Sequence, residues 1–397
     1  MKPVTTVDLA ILGGGCAGLS LAHALAASHV TGSVVILEPR SAYTDDRSWC
    51  FWASNSNNSE ASSVMPERWR DQVHHSWAHW AFGQINQTQT SRQAPGLSYQ
   101  YLRAVDFYRV CHDSIKANTA LDLRLGQTVQ TVTPVAAGWR VTTDTQVFLA
   151  RQVLDTRPPD PQRSSQASLQ QVFLGVEIEL DEPSKVDTAT AELMTDMRLV
   201  HGEFCFTYVL PYTATRLLVE VTFFARTIPD RSVLEAELNS LLNKRGWQQA
   251  RVVRREYGAL PMGLPMAAEL PGQPRRAGMA GGALRASSGY GFLRIQRWAE
   301  QCARHYLATG EVVGHPKTGF VWRWMDQLFL DVIVTDAKLA PMLFDQMLQK
   351  TEPSRFVRFM SDQANWWDCL LIVACLPKRP FLLALAKRCS RLVGAKP

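Results

Sequence analysis

No run of about 18 apolar residues occurs in this 397-residue chain, so no helix is expected to span a bilayer. The eight cysteines form no C-x-x-C pair and no zinc-ligand spacing, so neither a zinc module nor any other metal site is predicted. They read instead as small buried hydrophobes of a reducing compartment. Basic helices and aromatic-basic platforms are lacking too. The net charge of +6 is scattered until the C-terminal third, and nucleic acid is not an expected partner. The first residues, MKPVTTVDLA, enter a strand almost at once, which leaves no space for a signal peptide and predicts a cytoplasmic protein. No internal repeat is visible.

What is present is a globular composition, 46 % hydrophobic and 20 % charged, at a length that predicts two lobes. Twelve tryptophans and sixteen phenylalanines suggest an apolar aromatic cavity in addition to ordinary packing. The strongest local signal is VDLAILGGGCAGLSLAHALAASHVTGSVVILE at 7–38. It predicts a strand over 7–12, a helix over 17–29 and a strand over 33–38. Gly13, Gly15 and Gly18 supply G-x-G-x-x-G: the first for a tight turn, the second for close approach of a pyrophosphate, the third for helix–strand packing. The helix N-terminus offers N–H groups and a positive dipole end to phosphates. Glu38 ends the second strand, where a carboxylate can accept from ribose hydroxyls.

The chain from 39 to 96 reads as long and irregular, containing DRSWCFW at 46–52 and a polar loop, SNSNNSEASS, at 54–63. A helix is predicted over 105–117, then strands around 121–132 and 138–143. A buried-type strand over 147–157 carries Asp155 and Arg157 and is stopped by Pro158 and Pro159. Residues 170–256 have antiparallel-sheet character, with EFCFTYVLPYTATRLLVEVTFF reading as strand, four-residue turn and strand. Strand parity puts Phe204, Phe206 and Tyr208 on one face, and Leu218, Glu220, Thr222 and Phe224 on one face. A helix over 232–244 covers this sheet. A second glycine-rich stretch at 278–292 leads into a helix, and the last hundred residues look helical.

Glu220 is a carboxylate in the middle of an apolar strand, and its neighbours allow two uses. Burial raises a carboxyl pKa, which suits a proton donor at neutral pH. A structural ion pair with Arg216 is the other use.

In order along the chain, DLAILGGGCAGLSLA, RSWCFW, VLDTR, FTYVLPYTATRLLVEVTFF, YGALPMGLP, AGGALRASSGYGF and RFMSDQANWWDCLLIVACLP resemble the flavin-dependent lycopene β-cyclases of bacterial carotenoid biosynthesis. The resemblance implies an α/β fold with a Rossmann-like FAD-binding domain related to flavin monooxygenases, an antiparallel-sheet substrate domain and a helical C-terminal region. The corresponding spans are 1–157 plus 258–300, then 158–257, then 301–397. It further implies a redox-neutral, acid-catalysed cyclisation of the ψ-ends of lycopene or a related acyclic carotene, with reduced FAD stabilising the cation and NAD(P)H as reductant. Glu220 then falls at the acid position. Phe204, Phe206, Tyr208, Phe223 and tryptophans around Trp49 are candidates to line the cavity. Gly13, Gly15, Gly18 and Glu38 match the adenosine and pyrophosphate site. Arg103, Asp155, Arg157, Gly289 and Gly291 match positions around the flavin. A carotene substrate implies contact with a lipid surface, through 366–385, and peripheral association with the inner membrane.

The departures are Gly278-Met279 where monooxygenases have Gly-Asp, RASSGY at 285–290 where the cyclase motif runs near HPATGY, and Met194-Thr195-Asp196 in place of Met-Asp, which leaves Asp196 as an additional candidate acid. A flavin monooxygenase or a polyene reductase acting on an isoprenoid is the alternative.

Overall fold

The computed structural model describes residues 2–54, 67–265 and 272–394, so most of the polar loop at 54–63 lies outside the described residues. Hydrophobic alternation in Val4–Leu12 sets up the first lobe. Leu9 and Ile11 point to one side of the sheet, and Ala10 and Leu12 to the other, each into its own apolar cluster. A strand buried on both faces needs neighbours on both edges. Val34–Glu38 and Val147–Asp155 flank it in parallel, Leu121–Leu125 extends the parallel row, and the hairpin strands Gly138–Thr143 and Val129–Val135 complete the other side. The helices Cys16–Ala27, Ala104–Lys116 and Phe292–Thr309 cover one face.

The second lobe is a seven-stranded sheet in the order Arg251–Met262, Leu169–Glu179, Arg216–Ala225, Glu203–Pro211, Thr190–Val200, His79–Gln84 and Thr90–Gln93. Its strands obey the predicted parity. Cys205, Val209, Val219, Val221 and Phe223 face the helix Arg231–Lys244 through Leu234, Leu238 and Leu241. Phe204, Phe206, Leu218 and Phe224 face the helices Phe320–Thr335 and Ala340–Lys350. Burial of each such phenylalanine contributes about 1.5–3 kcal/mol before conformational entropy is subtracted. Phe223 therefore lies on the face away from the cavity, against the expectation from aromatic content.

The stretch from 39 to 96 is more regular than expected. It contains Ser48–Ser54, His75–Trp77, His79–Gln84 and Thr90–Gln93, and two of these strands join the second sheet rather than the first lobe. Ser48–Ser54, with Leu97–Arg103 and His75–Trp77, forms a three-stranded sheet between the lobes. Period-two alternation serves both sides: Phe51 and Ala53 enter the core of the first lobe, whereas Trp52 enters that of the second. Trp49 follows the first parity and packs on Phe107 and Phe292. Trp52 is the tryptophan of this motif that reaches the cavity. These strands were hidden because they are short and because an apolar run such as Trp49–Ala53 is divided between two cores, so no single-face alternation marks it.

Helices make up the C-terminal region, as expected. Trp366–Cys375 is started by a capping box, in which Asn365 accepts from the Asp368 N–H and Asp368 accepts from the Asn365 N–H. Pro377 then separates it from Lys378–Gly394, and the two helices meet at a bend of 106°. Among the described residues no single helix is long and apolar enough to cross a membrane.

Candidate functional site

The three motif glycines are built into the turn after Val4–Leu12 in three different ways. Gly13 has φ of 102°, a conformation that disfavours a side chain. A Cβ on Gly18 would collide with the Gly13 carbonyl, so helix and strand approach this closely only because residue 18 is glycine. A Cβ on Gly15 would meet nothing within 4 Å, which leaves open space in front of the helix. The helix Cys16–Ala27 has no side-chain cap and no acidic residue in its first turn. Its N-terminal N–H groups and dipole therefore face a space suited to an anion.

The VLDTR motif fastens this turn from the neighbouring strand. Thr156 Oγ1 lies 2.9 Å from both the Leu12 and the Gly13 carbonyl oxygens and donates to them. Asp155 and Arg157 pair with each other, at 2.9 and 2.8 Å. The second glycine stretch arrives beside them: Ala277 N–H donates to the Asp155 carbonyl, and a Cβ on Gly278 would lie 3.0 Å from Ala17 Cβ. Glu38 accepts from the Gly14 N–H at 2.7 Å and from Arg40 Nε at 2.8 Å. Tyr43 donates to the Gly14 carbonyl at 2.9 Å, so Arg40 and Tyr43 border the same turn, a pairing that sequence alone did not suggest. Arg103 stands immediately before the helix Ala104–Lys116 and makes a two-point pair with Asp106 at 2.6 and 3.1 Å. Gly289, with φ of 70°, abuts Gln171, whose buried Oε1 has no hydrogen-bond partner. Gly291 precedes the helix Phe292–Thr309 and packs on Leu284.

Glu220 sits on the strand Arg216–Ala225, on the face that carries Phe224 and Leu218. Thr222 Oγ1 donates to its Oε1 at 2.7 Å. Register sets its neighbours across the sheet: Tyr208 lies opposite on one side, Gly175 on the other, and Gly175 is in turn opposite Glu256. Arg216 does not pair with Glu220. It pairs with Glu177 at 2.5 Å, because residue 216 begins the strand four residues, or about 13 Å of extended chain, from residue 220. Burial and the nearby Glu256 carboxylate push the Glu220 carboxyl well above its ordinary value of 4.5. Its charge in turn opposes ionisation of Cys50, Tyr208 and Tyr290, which are raised mainly by their own burial.

Glu256, Arg254 and Glu177 are the residues sequence reasoning missed. Arg254 donates to Glu177 at 2.7 Å, Glu256 at 2.7 Å, Ser48 at 2.7 Å and the Tyr101 hydroxyl at 3.1 Å. Alternation of Arg254 and Glu256 within VVRREYG was the available signal. Their partners are too distant in the chain to be read from it.

On the same face of the sheet an apolar cavity of about 330 Å³ opens toward the C-terminal helices; Tyr208 and Phe224, the neighbours of Glu220, line it, and Glu220 itself stands just behind that lining. Trp52, Phe206, Tyr208, Phe224 and Tyr290 line its inner part, and Val373, Leu376, Phe381 and Leu382 its outer part. Met194 lines it as well, but Asp196 does not. A register shift between Thr195 and Arg198, with Asp196 at φ of 50°, turns Asp196 outward to Lys244, 3.1 Å away, which removes it as a second acid in the cavity.

A glycine-cradled helix N-terminus in one lobe and a partly open apolar cavity in the other belong to a two-lobed, Rossmann-like fold of the flavoprotein monooxygenase type. Solved structures share it across nearly the full length. A p-nitrophenol 4-monooxygenase from Pseudomonas putida superposes with a TM-score of 0.59 at 15 % identity, covering 95 % of this chain and 98 % of that one. A geranylgeranyl bacteriochlorophyll reductase-like protein from Thermoplasma acidophilum gives 0.58 at 12 %, covering 96 % of both. The halogenase PltM, solved with phloroglucinol and FAD, gives 0.54 at 12 %, covering 90 % and 83 %.

The chain belongs to the lycopene cyclase protein family, which matches residues 8–386, and is an enzyme of that family. It is 25 % identical over 291 residues to the lycopene β-cyclase of Pseudescherichia vulneris, covering 71 % of this chain and 70 % of that protein. The lycopene β-cyclase of Paracoccus sp. (strain N81106 / MBIC 01143) is 28 % identical over 242 residues, 58 % of this chain and 52 % of that relative.

Proposed function

We propose that this enzyme closes the acyclic ends of lycopene, or a related carotene, into β-ionone rings, with Glu220 as the proton donor. The observation that carries the reading is a buried carboxyl group, held above the ordinary carboxylate range, on the sheet face that borders an aromatic-lined cavity. A hydrocarbon offers no hydrogen-bonding handle, so recognition rests on apolar area and shape. Protonation of the terminal C1=C2 bond at C2 leaves a cation at C1. Attack by C5=C6 moves charge to C5, and loss of the C6 proton yields the ring, with no net change in atoms. Phe206, Phe224, Tyr208, Trp52 and Tyr290 offer ring faces that attract such a cation in a dry site.

The glycine turn fits a dinucleotide: open space before Gly15, an uncapped helix N-terminus and the orphaned Gln171 Oε1 beside Gly289 are the features that support FAD. Gly13, Gly15, Gly18 and Glu38 would hold its adenosine and pyrophosphate. Arg103, Asp155, Arg157, Gly289 and Gly291 would border the remainder. Reduced by NAD(P)H, the flavin would supply negative charge that stabilises the cation. Two substitutions separate the glycines' duties. Gly15→Ala should leave the apoprotein's melting temperature nearly unchanged and weaken FAD binding at least tenfold by fluorescence titration, whereas Gly18→Ala should lower stability itself.

Lipid contact is the remaining part of the proposal. Trp366, Trp367, Leu370, Leu371, Leu382 and Leu383 are exposed on the bent helix pair that also forms the cavity's outer wall. Insertion of this pair into the headgroup region of the inner membrane, from the cytoplasmic side, would bring a dissolved carotene to the cavity. Replacing Trp366, Trp367 and Leu370 together by serine should abolish co-sedimentation with anionic vesicles and leave FAD binding intact. Unchanged sedimentation would refute this contact.

The test of the overall reading is expression in a lycopene-accumulating host, followed by chromatography and mass analysis of pigments. Cyclisation predicts an isobaric product. An oxygenated or reduced product would favour the monooxygenase or polyene-reductase alternative.

A further inference from the structure

Two strands across the sheet from Glu220 stands a second buried carboxyl group, Glu256. We propose that Glu256, held by Arg254 and Ser48, is the positioning residue that shares and retains the Glu220 proton across Gly175. The inference rests on the reading of Glu220 as the acid.

Three observations carry it. Gly175 lies opposite Glu220 on one side and Glu256 on the other, so the two glutamates stand on the same face with no side chain between them. A Cβ at 175 would come within 3.1 Å of Glu256 Cγ and 3.4 Å of Glu220 Cβ, so the gap between the carboxyl groups is already filled by their own atoms. The side chains close over Gly175 from either side, and two carboxyl groups this near can share a hydrogen bond only when one is protonated. Fixed donors decide which one. Glu256 accepts from Arg254 at 2.7 Å and from Ser48 at 2.9 Å, whereas among the described residues Glu220 accepts from the neutral Thr222 hydroxyl alone. The proton therefore resides on Glu220, on the sheet face whose Tyr208 and Phe224 line the cavity.

The other ionisable groups around Glu220 are Cys50 from the small sheet, Tyr208 from the adjacent strand and Tyr290 from the glycine stretch, all kept neutral by burial. Arg254 is the nearby cation, and it is divided among Glu256, Glu177 and, at 3.6 Å, Asp45. Once Glu220 has given its proton to C2, two carboxylates face each other beside that one shared cation. Their repulsion favours the return of a proton to Glu220. The C6 proton lost by the substrate balances the one gained at C2, so the pair ends a turnover as it began once the proton is regained.

The test follows the carboxylic C=O band of Glu220 by infrared spectroscopy, assigned by its loss in Glu220→Gln, together with the pH profile of kcat. In the wild type the band should persist through neutral pH. In Glu256→Gln removal of the like charge should let Glu220 ionise at a pH lower by about one unit or more, and the alkaline limb of kcat should move with it while KM changes little. Glu256→Asp, which keeps the charge, should restore part of the shift. Gly175→Ala, which forces the carboxyl groups apart, should move the band in the same direction as Glu256→Gln. An unchanged band and limb in Glu256→Gln and Gly175→Ala would overturn the proposal. If Glu220→Gln still cyclises carotene, the assignment of the acid fails, yet the band shift still decides whether Glu256 governs the proton.

Discussion

Glu220→Gln should lower cyclisation by about 10³-fold or more, within the range that a positioned general acid contributes, while the protein remains folded and binds FAD. Glutamine keeps the shape and can still accept from Thr222, but it has no acidic proton to deliver. The readout is kcat in a vesicle assay with the cofactor reduced. Stability should respond with a definite sign. A carboxyl group whose pKa is raised by folding stabilises the native state fully below its unfolded value, near 4.5, and this contribution is lost as pH rises through the folded value. Glu220→Gln removes that liability, so the variant should melt at or above the wild-type temperature at pH 8 to 9, and the difference should shrink toward pH 5. Activity within tenfold of wild type would defeat the assignment. A variant that loses activity and stability together at every pH would mark Glu220 as structural.

Arg254→Met should have the largest effect on stability, about 3–5 kcal/mol, because it leaves buried Glu256 without a cation and Glu177 with the half-exposed Arg216 alone. Glu177 and Glu256 are each about 95 % buried, and Arg254 itself is only 10 % exposed in its side chain. Arg216 still serves Glu177 from the half-exposed strand end, but no second cation is paired with Glu256 among the described residues. Urea unfolding monitored by tryptophan fluorescence checks the magnitude. The pH dependence checks the cause: protonation of the abandoned carboxyl groups removes the buried charge, so the deficit should narrow as pH falls from 8 to 5. Adding Glu256→Gln to Arg254→Met should recover part of the loss, a non-additivity expected only of residues in one network. A deficit independent of pH would assign it to lost packing of the long side chain instead.

Both predictions depend on a division that the chain makes between short-range and long-range information. The strand, glycine turn and helix around Gly13, Gly15 and Gly18 are legible because every interaction that specifies them lies within a few residues, and the collision at Gly18 is with Gly13 itself. The hairpin around residues 212–215 and the face shared by Glu220 and Phe224 follow equally from period-two alternation. The strands near Trp52 were not legible. Their apolar residues are split between two cores, so neither half of the alternation looks like a buried face. Aromatic content announced a cavity but not its walls, since Trp49 and Trp52 differ in location by one step of parity.

By itself the sequence determined a dinucleotide turn, a sheet with a carboxylate at residue 220, a helical C-terminal region and membership of a cyclase family. Only the tertiary structure decided what that carboxylate meets. The register of three strands, across a glycine at 175, sets Glu256 rather than Arg216 beside Glu220, and a bulge sends Asp196 outward. Such partners are chosen by hydrogen-bonded pairing between segments distant in the chain, where a slip of one residue would exchange the faces and put a different side chain at every position.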